Sequence, residues 1–455
     1  MTETFSRREV LGAMTALAAG AALPAVQAGD TALPLDGYWL SAGNPIANVD
    51  QREVEDVAVR LLAHPDVARA REQAGMLWRS VMEQASGAQW PLFEPMLDEY
   101  VYNYALKAAL ADPDRPRVAR VYTPPWRWLG RAVPGSRWGG DNPDNTYRLI
   151  PIAAGARYEL QGRRMAGGIA NVTYTLVGNT ATSVTLSSLE GRDLHTAPDG
   201  SFTITVDDRP AAGRVNHIQS KPGALYLFVR DSCSDWERQT PNALRIARLD
   251  PPARTAPGID EMAQFAARHM VEDVYLVYWF ERLSYGVPLN TMRVPRNSGG
   301  VGGLRSQVGS QGVFTIGDDE AVVVTANAAG AAYRNFVVHD VWYRSIEPWK
   351  RQSSLTDAQM AADADGRFTF VVAHEDPGVH NWVDTAGLHE VLALHRWQGL
   401  PPDPQAPAPE IACRRVKLRD LDQALPAGVK TVTPDERASQ IARREAAYLR
   451  RYIET

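Results

Sequence analysis

The sequence predicts a mainly β protein with helical additions, in which a helical segment precedes two related antiparallel units of β-sandwich or jelly-roll type. Three observations predict this architecture: helical periodicity in the first quarter of the chain, short alternating strands after it, and an internal repeat. The chain has 455 residues, of which 45% are hydrophobic and 22% charged. This composition is that of a globular protein that can bury a full core.

Residues 1–28 are predicted to be a twin-arginine signal peptide. The sequence Ser-Arg-Arg-Glu-Val-Leu at 6–11 precedes an Ala/Gly-rich apolar stretch, and the small residues at 24–28 predict cleavage after Ala28. The apolar stretch is too short, and too rich in Ala and Gly, to span a membrane. We therefore expect a periplasmic or secreted protein that meets the twin-arginine export machinery and has no integral membrane segment once mature. The alternative is a cytoplasmic protein whose N-terminus happens to contain two adjacent arginines.

A helical N-terminal segment is predicted at 29–117. Apolar residues recur at three- and four-residue steps from 51 to about 86, and His64-Pro65 is expected to break this stretch into two helices. A further helix fits 92–111, because Asp112-Pro113 ends the pattern there.

The rest of the chain divides into two β units and their connections. The first β unit is predicted at 118–255, where short β-rich runs alternate with turn residues, and the second at 313–400. Between them, 256–312 is expected to hold a long amphipathic helix and a Gly-rich loop, with the alternative that the loop is a lid over a pocket. A Pro-rich strap and a C-terminal helix are predicted at 401–455, the helix beginning at the capping sequence Thr433-Pro434-Asp435-Glu436.

The two β units are predicted to be copies of one another. Asp-Gly-Ser-Phe-Thr-Ile at 199–204 is echoed by Asp-Gly-Arg-Phe-Thr-Phe at 365–370. Each match is followed by an Asn (Asn216-His217, Asn381-Trp382), then by a Gly, an apolar strand and an Arg, namely Arg230 or Arg396. The shared Asp-Gly indicates a hairpin turn rather than a calcium loop, since the first acidic residue of such a loop is missing from the first copy.

Charge, cysteine content and missing motifs exclude several classes of protein. A net charge of −5 lacks the basic excess expected of a nucleic-acid-binding protein. Cys233 and Cys413 belong to no Cys-x-x-Cys pair, so two separate buried thiols are expected, with a disulfide as the alternative. The chain contains no Gly-x-Ser-x-Gly, His-Glu-x-x-His or Walker sequence, which disfavours an ordinary serine hydrolase, a zincin or a nucleotide-driven enzyme.

A cluster of imidazole and carboxylate groups in the second β unit supplies the candidate catalytic residues. Six of the nine histidines lie between 269 and 395. If loop and strand bring them together, they could bind a divalent metal as cofactor or perform acid/base chemistry, as in a hydrolase or lyase. The alternative is that these are solvated strand and loop histidines. The candidate catalytic residues are His374, Glu375, His380, His389 and His395.

A Trp-rich segment supplies the candidate binding residues. Tryptophans interleaved with Arg, Asp and Asn between 126 and 148 could stack on a sugar or an aromatic ring and hydrogen-bond its substituents. The alternative is that the tryptophans only join the helical segment to the sandwich. The candidate substrate-binding residues are Trp126, Trp138, Asp141, Asn142, Asn145, Arg148 and, as an opposite wall, Trp382.

The chain also resembles a known bacterial family. The sequence Gly-Asp-Asn-Pro-Asp-Asn-Thr-Tyr-Arg at 140–148, Val-Arg-Asp at 229–231 with Asp235-Trp236, and Asn381-Trp382 before an apolar strand and Arg396 resemble the bacterial proteins catalogued as domain of unknown function 1214. The resemblance would cover about residues 120 to 400 and implies a β-sandwich or jelly-roll core. It supplies no established catalytic residues.

The function predicted from the sequence is that of an exported periplasmic protein that binds a carbohydrate or an aromatic small molecule in a Trp-rich cleft, with or without processing it. The alternative is a non-catalytic envelope-associated structural or interaction protein.

Overall fold

The computed structural model describes residues 32–82, 87–128, 130–297 and 306–451. The predicted signal peptide at 1–28 and part of the Gly-rich stretch lie outside these residues. The described part of the chain contains no helix that is both long and apolar enough to cross a membrane.

Three helices form the N-terminal segment: α1 (Val49–Leu61), α2 (Pro65–Val81) and α3 (Phe93–Ala109). The Asn48 side chain caps α1 by accepting from the Gln51 amide, and Pro65 opens α2, so the predicted break at His64-Pro65 is confirmed. Helix α3 is buried on nearly all sides, because the other helices pack on one face and the β units on the other.

The first β unit is a two-sheet sandwich. Its larger sheet has the order β1-β4-β10-β6-β7, its smaller sheet has the order β11-β5-β8-β9, and β2 and β3 form a separate ribbon. The strands are β1 (Ala119–Val121), β2 (Trp126–Trp128), β3 (Arg131–Val133), β4 (Asn145–Pro151), β5 (Tyr158–Arg163), β6 (Asn171–Val177), β7 (Thr185–Glu190), β8 (Ser201–Asp207), β9 (His217–Gln219), β10 (Tyr226–Ser232) and β11 (Ala243–Arg248).

The second β unit repeats this topology. Its larger sheet has the order β12-β13-β19-β15-β16 and its smaller sheet the order β18-β17-β14-β20, so each strand corresponds in chain order to one of the first unit. Even the one parallel pair recurs, as β8 with β9 and β17 with β18. The strands are β12 (Arg296–Asn297), β13 (Gln307–Thr315), β14 (Glu320–Ala326), β15 (Tyr333–His339), β16 (Ser354–Thr356), β17 (Phe368–Ala373), β18 (Trp382–Asp384), β19 (Glu390–Gln398) and β20 (Ile411–Lys417). The predicted mainly β fold with two related units is confirmed.

The repeated sequence motifs perform the same structural tasks in both units. Gly200 and Gly366 adopt φ of +81° and +79° in equivalent turns that favour glycine. The Asn216 side-chain amide bonds both backbone groups of His195, and that of Asn381 bonds both backbone groups of Ala361. Each Asn therefore ties the start of a short parallel strand to a segment about 20 residues earlier.

Three segments differ from the sequence prediction. The second β unit is longer than 313–400, because the end of the Gly-rich stretch is the start of β13 and the predicted strap contains β20. The predicted linking helix is two helices, α4 (Ile259–Glu272) and α5 (Val274–Arg282), which meet at Asp273. After a short helix α6 (Leu421–Ala424), the helix α7 (Pro434–Leu449) begins with the predicted Thr433 capping box.

The chain has three main cores. One lies between the two sheets of each β unit. The third joins the helices to the outer faces of both larger sheets, with Phe228 from the first unit and Leu392 from the second. The two larger sheets and the helices are therefore packed around a common interior.

A buried charge network centred on Glu99 of α3 holds this interior together. The Glu99 carboxylate accepts from the Arg137 amide at 2.8 Å, from the Arg137 guanidinium at 2.6 and 2.9 Å, and from Arg344 at 3.0 Å. Burial alone would raise the pKa of Glu99, but the two guanidinium groups outweigh it and hold that pKa below its usual value. The network links α3, the segment before β4 and the second β unit.

The C-terminal helix α7 also crosses from one β unit to the other. Arg444 donates to the Pro348 carbonyl and the Ser354 hydroxyl, each at 2.5 Å, and Arg451 donates to the Pro143 carbonyl at 3.0 Å. Both arginines are buried, so the helix and the residue Arg451 that follows it are anchored to both β units.

Replacing Glu99 by Gln is expected to lower the free energy of unfolding by about 3–5 kcal/mol, because it leaves the buried Arg137 guanidinium without its ion-pair partner and leaves Arg344 with Asp340 alone. Urea denaturation of the variant and the unchanged protein measures this. The control is Glu94→Gln on the same helix, whose exposed ion pairs with Arg71 and Arg79 should be worth less than about 1 kcal/mol. Equal losses in the two variants would contradict the role given to Glu99.

Candidate functional site

A cavity of about 360 Å³ lies between the outer faces of the two larger sheets. Strands β4 and β10 line one side, β13 and β19 the other, and helix α5 with the segment that follows it covers the cavity. The segment 138–141, which Arg137 fixes to Glu99, forms a further wall. The cavity is thus built by both copies of the repeat and by the helices between them.

Aromatic rings form much of the wall on the side of the first unit. Tyr122 contacts Tyr147 and Phe228 with ring centroids at 5.3 and 5.8 Å, and Tyr147 stacks on Phe228 at 5.5 Å. Trp138 lies 6.4 Å from Tyr122. These rings pack against one another and keep one face toward the cavity, which suits a planar or apolar ligand.

Two buried guanidinium groups enter the cavity from equivalent strands. Arg230 lies on β10, opposite Tyr147, and Arg396 lies on β19, opposite Gly309. Burial and the neighbouring Arg396 lower the pKa of Arg230 to about 10. Guanidinium groups are charged at neutral pH, so two like charges share a small buried space.

Some donors in the cavity wall have no hydrogen-bond partner among the described residues. Arg396 donates one hydrogen bond, to the Gly140 carbonyl at 2.8 Å, but its Nη1 is buried and unpaired. The Trp138 Nε1 is buried and unpaired as well. Arg293, half-buried, and Arg296, exposed, add positive charge at the covering segment. The arginines therefore give the cavity wall a positive charge.

Asp141 is the one carboxylate among the described lining residues. Burial raises its pKa to about 6. Its two oxygens accept from the amide and hydroxyl of Ser345 at 2.9 and 2.6 Å. Asp141 therefore joins the 138–141 segment to the second unit.

Three residues of the cavity wall have strained backbones. Tyr122, Thr182 and Tyr343 have φ of +58°, +57° and +59°, in the left-handed region that non-glycine residues seldom adopt. The Tyr122 hydroxyl and the Thr182 Oγ1 lie 3.2 Å apart. Such strain is commonly found at functional sites, where the surrounding structure fixes it.

The structure brings three of the predicted substrate-binding residues to this cavity, namely Trp138, Asp141 and Asn145. Asn142 instead donates to the Tyr333 hydroxyl at 2.7 Å, and Arg148 pairs with Asp231 inside the first unit. Trp126 stacks on Trp128 at 5.1 Å, and Trp382 packs with the apolar cluster on the outside of the smaller sheet of the second unit.

The predicted catalytic residues do not form one cluster. His374 and His389 are adjacent, with ring centroids 4.6 Å apart, whereas His380 lies 3.2 Å from the Gln440 amide of α7. His395 and Arg396 are neighbours on β19 and point to opposite faces. The His395 ring packs on Trp397 in the sandwich core, where burial lowers its pKa to about 3 and keeps it neutral. Glu375 is exposed.

Sequence reasoning did not assign Arg230 and Arg396 to the site, although it found both as the last residue of the repeat. An Arg after an apolar strand in both copies was the available signal. Tyr122, Phe228 and Tyr343 gave no such signal, because aromatic residues at these positions are equally typical of a core.

A buried lysine lies behind the aromatic wall. The Lys107 Nζ of α3 is 4.5, 5.3 and 4.8 Å from the ring centroids of Tyr104, Tyr122 and Trp138 and has no hydrogen-bond partner among the described residues. Burial lowers its pKa to about 7, against the opposing effect of Asp273. Near neutral pH the amine is thus partly uncharged inside an aromatic cage.

Comparisons with known proteins identify a fold but no family. No family model and no curated protein matches the chain. It is similar to the crystal structure of an uncharacterised protein from Burkholderia cenocepacia, with a TM-score of 0.64 and 24% identity over 80% of this chain and 99% of that one. The VPA0106 protein from Vibrio parahaemolyticus is more distant, with a TM-score of 0.36 and 12% identity over 60% of this chain and 89% of that one, and supports no argument. The first similarity shows the fold alone.

Replacing Gly140 by Ala is expected to disturb the cavity. Gly140 has φ of +74°, and a Cβ there would lie 2.7 Å from the Tyr343 ring. Gly139→Ala is a matched control, because its φ of +70° imposes a similar backbone cost with nothing within 4 Å. We expect Gly140→Ala to lower the free energy of unfolding, measured by urea denaturation, by about 1–3 kcal/mol more than Gly139→Ala does. Gly140→Ala should also change the near-ultraviolet circular dichroism spectrum. Equal effects of the two substitutions would rule out the steric contact.

Replacing Lys107 by Met is expected to stabilise the protein in a pH-dependent way. The folded state releases the Lys107 proton near pH 7, whereas the unfolded chain keeps it to about pH 10.4. Stability of the unchanged protein therefore rises with pH across this window. At pH 6 the free energy of unfolding of the variant should exceed that of the unchanged protein by a few kcal/mol, since each pKa unit is worth about 1.4 kcal/mol. This difference should shrink toward pH 10.

Urea denaturation from pH 6 to pH 10 measures this difference. The exposed Lys350→Met serves as control, and its difference from the unchanged protein should not vary with pH. A constant difference for Lys107→Met would show that the buried amine is not titrating in this range.

Proposed function

We propose that the protein binds a small organic anion with an aromatic body, such as an aromatic carboxylate, in the cavity between its two β units. The observation that carries the proposal is the pair of largely buried arginines that equivalent strands of the two units bring to one cavity. Guanidinium groups bind carboxylates through paired, charge-assisted hydrogen bonds. The carboxylate would also relieve the repulsion between Arg230 and Arg396.

The cavity wall favours an aromatic anion over a carbohydrate. A sugar carries no charge to pair with guanidinium groups, whereas the described lining residues include four arginines and one carboxylate. The Asp141 carboxylate is held by Ser345. Tyr122, Phe228 and Trp138 provide apolar surface for the body of the ligand.

Binding without chemistry is the simpler use of this cavity. The His395 ring lies in the sandwich core and the Asp141 oxygens are occupied, so neither is placed as a free base toward a ligand. We therefore propose a binding protein, and the predicted hydrolase or lyase activity is not part of the proposal.

The proposal retains export to the periplasm by the twin-arginine route and membership of the domain of unknown function 1214 family. The sequence at 6–11 supports the first. Free thiols at Cys233 and Cys413 fit a protein that folds before export, since it does not depend on disulfides. The segment 140–148, which carries much of the family resemblance, starts in the cavity wall and continues into β4.

Isothermal titration calorimetry of the mature chain tests the proposal. Phenylacetate is expected to bind, whereas phenylacetamide, which keeps the ring but lacks the charge, and glucose should bind at least tenfold more weakly. Arg396→Gln should weaken phenylacetate binding at least tenfold while leaving thermal unfolding of the free protein unchanged or higher. The control Arg238→Gln removes one positive charge from an exposed position and should bind like the unchanged protein.

Equal affinity for phenylacetate and phenylacetamide, or equal affinity of Arg396→Gln and Arg238→Gln, would refute the assignment. The absence of binding by any aromatic anion in a thermal-shift screen would favour the non-catalytic structural or interaction protein instead.

A further inference from the structure

A second cluster of chemically active side chains lies at one corner of the second β unit, apart from the lining of the cavity. His374 directly follows β17, His389 directly precedes β19, and Asp318 lies in the turn between β13 and β14. One ligand atom from each residue lies within 4.8 Å of the others, and the His389 Nε2 is 3.5 Å from the Asp318 Oδ1. Three separate segments of the chain thus converge on one point.

The two imidazole rings are oriented by hydrogen bonds at their Nδ1 atoms. The Nδ1 of His389 lies 2.7 Å from the Ile316 carbonyl oxygen, and the Nδ1 of His374 lies 2.6 Å from the Thr385 Oγ1. Metal-binding histidines commonly donate the second ring N–H to a carbonyl or another oxygen, which fixes the ring and leaves the other nitrogen for the ion.

The Ile316 carbonyl oxygen also lies 3.0 Å from the Nε2 of His374. In the absence of metal this nitrogen can donate to that carbonyl. With Nδ1–H directed at Thr385 instead, Nε2 presents its lone pair to an ion. A bound ion therefore requires a change of tautomer at His374 and no rotation of its ring.

The first β unit lacks these ligands, so the fold itself does not require them. The residue that follows β8 is Asp208, but the segment before β10, 221–225, and the turn between β4 and β5, 152–157, contain no histidine or carboxylate. The cluster is thus a feature that the second copy has and the first does not.

We propose that Asp318, His374 and His389 bind a divalent transition-metal ion of the zinc or nickel class. Two imidazoles and one carboxylate suit such ions, whereas magnesium and calcium prefer oxygen ligands only. The ion joins the β13–β14 turn to the ends of β17 and β19, and solvent supplies its remaining ligands, since Asp318 and His389 are exposed. This site is independent of the anion bound in the cavity.

Calorimetric titration of the tag-free, chelator-treated mature chain with zinc chloride tests the inference. We expect one ion per chain at pH 7.5 with a Kd in the micromolar range or below. His389→Ala and Asp318→Asn should each weaken binding at least tenfold. Because both side chains are exposed, thermal unfolding of the metal-free variants should match that of the unchanged protein.

The control is His380→Ala, which removes a half-buried histidine outside the cluster and should bind zinc like the unchanged protein. A stoichiometry well below one, or equal weakening in His380→Ala and His389→Ala, would overturn the proposal. Phenylacetate binding is measured on the same variants, so loss of the metal site and failure of the cavity proposal give different results.

Discussion

The arrangement of the whole molecule depends on one buried carboxylate. Glu99 receives hydrogen bonds from both the backbone and the side chain of Arg137, and from Arg344 of the second unit. Burying any one of these charged groups alone would destabilise the protein. Together they are stable only in the geometry that makes their hydrogen bonds. Arg137 immediately precedes Trp138 and the Gly139-Gly140 pair, so the position of the cavity wall follows from the position of Glu99. The network therefore connects the packing of the helices with the shape of the cavity.

Duplication of the β unit explains why the cavity has its charge. Equivalent strands at the centres of the two larger sheets each carry an arginine two residues before their C-terminal end, and packing the two outer faces around one interior brings Arg230 and Arg396 together. Two like charges in a buried space destabilise the protein, and Arg396 accordingly acts to lower the pKa of Arg230. A site that keeps this arrangement is suited to an anion. The copies have also diverged, since Gly309 faces Arg396 where Tyr147 faces Arg230, which leaves room on the side of the second unit.

Features that depend on a few neighbouring residues could be predicted from the sequence. The break at His64-Pro65, the Thr433 capping box and the Asp-Gly turns are local, and the internal repeat revealed the two units. Features set by the alternation of strands and by distant contacts could not be predicted in this way. His395 and Arg396 are adjacent in sequence, yet one enters the sandwich core and the other the cavity. β20 was missed because its polar, half-exposed residues carry little pattern, and it is defined by pairing with β14. Burial of Arg444 and Arg451 likewise depends on carbonyl groups that lie far away in the chain.

The strained residues indicate that the cavity is formed before any ligand arrives. Tyr122, Thr182 and Tyr343 hold left-handed backbones, each at a cost of about 1–3 kcal/mol. The Tyr343 backbone is in turn fixed by bonds to its neighbours, since its carbonyl accepts from the Gly140 amide at 2.7 Å and its amide donates to the Asp340 carbonyl at 2.9 Å. If the cavity formed only when a ligand binds, these three backbones would relax in the free protein. The aromatic rings would then collapse onto one another. Because the sandwich cores and the Glu99 network fix both ends of these segments, the strain persists, and a ligand meets rings and guanidinium groups already in place. Binding energy then goes into contacts rather than into ordering the site.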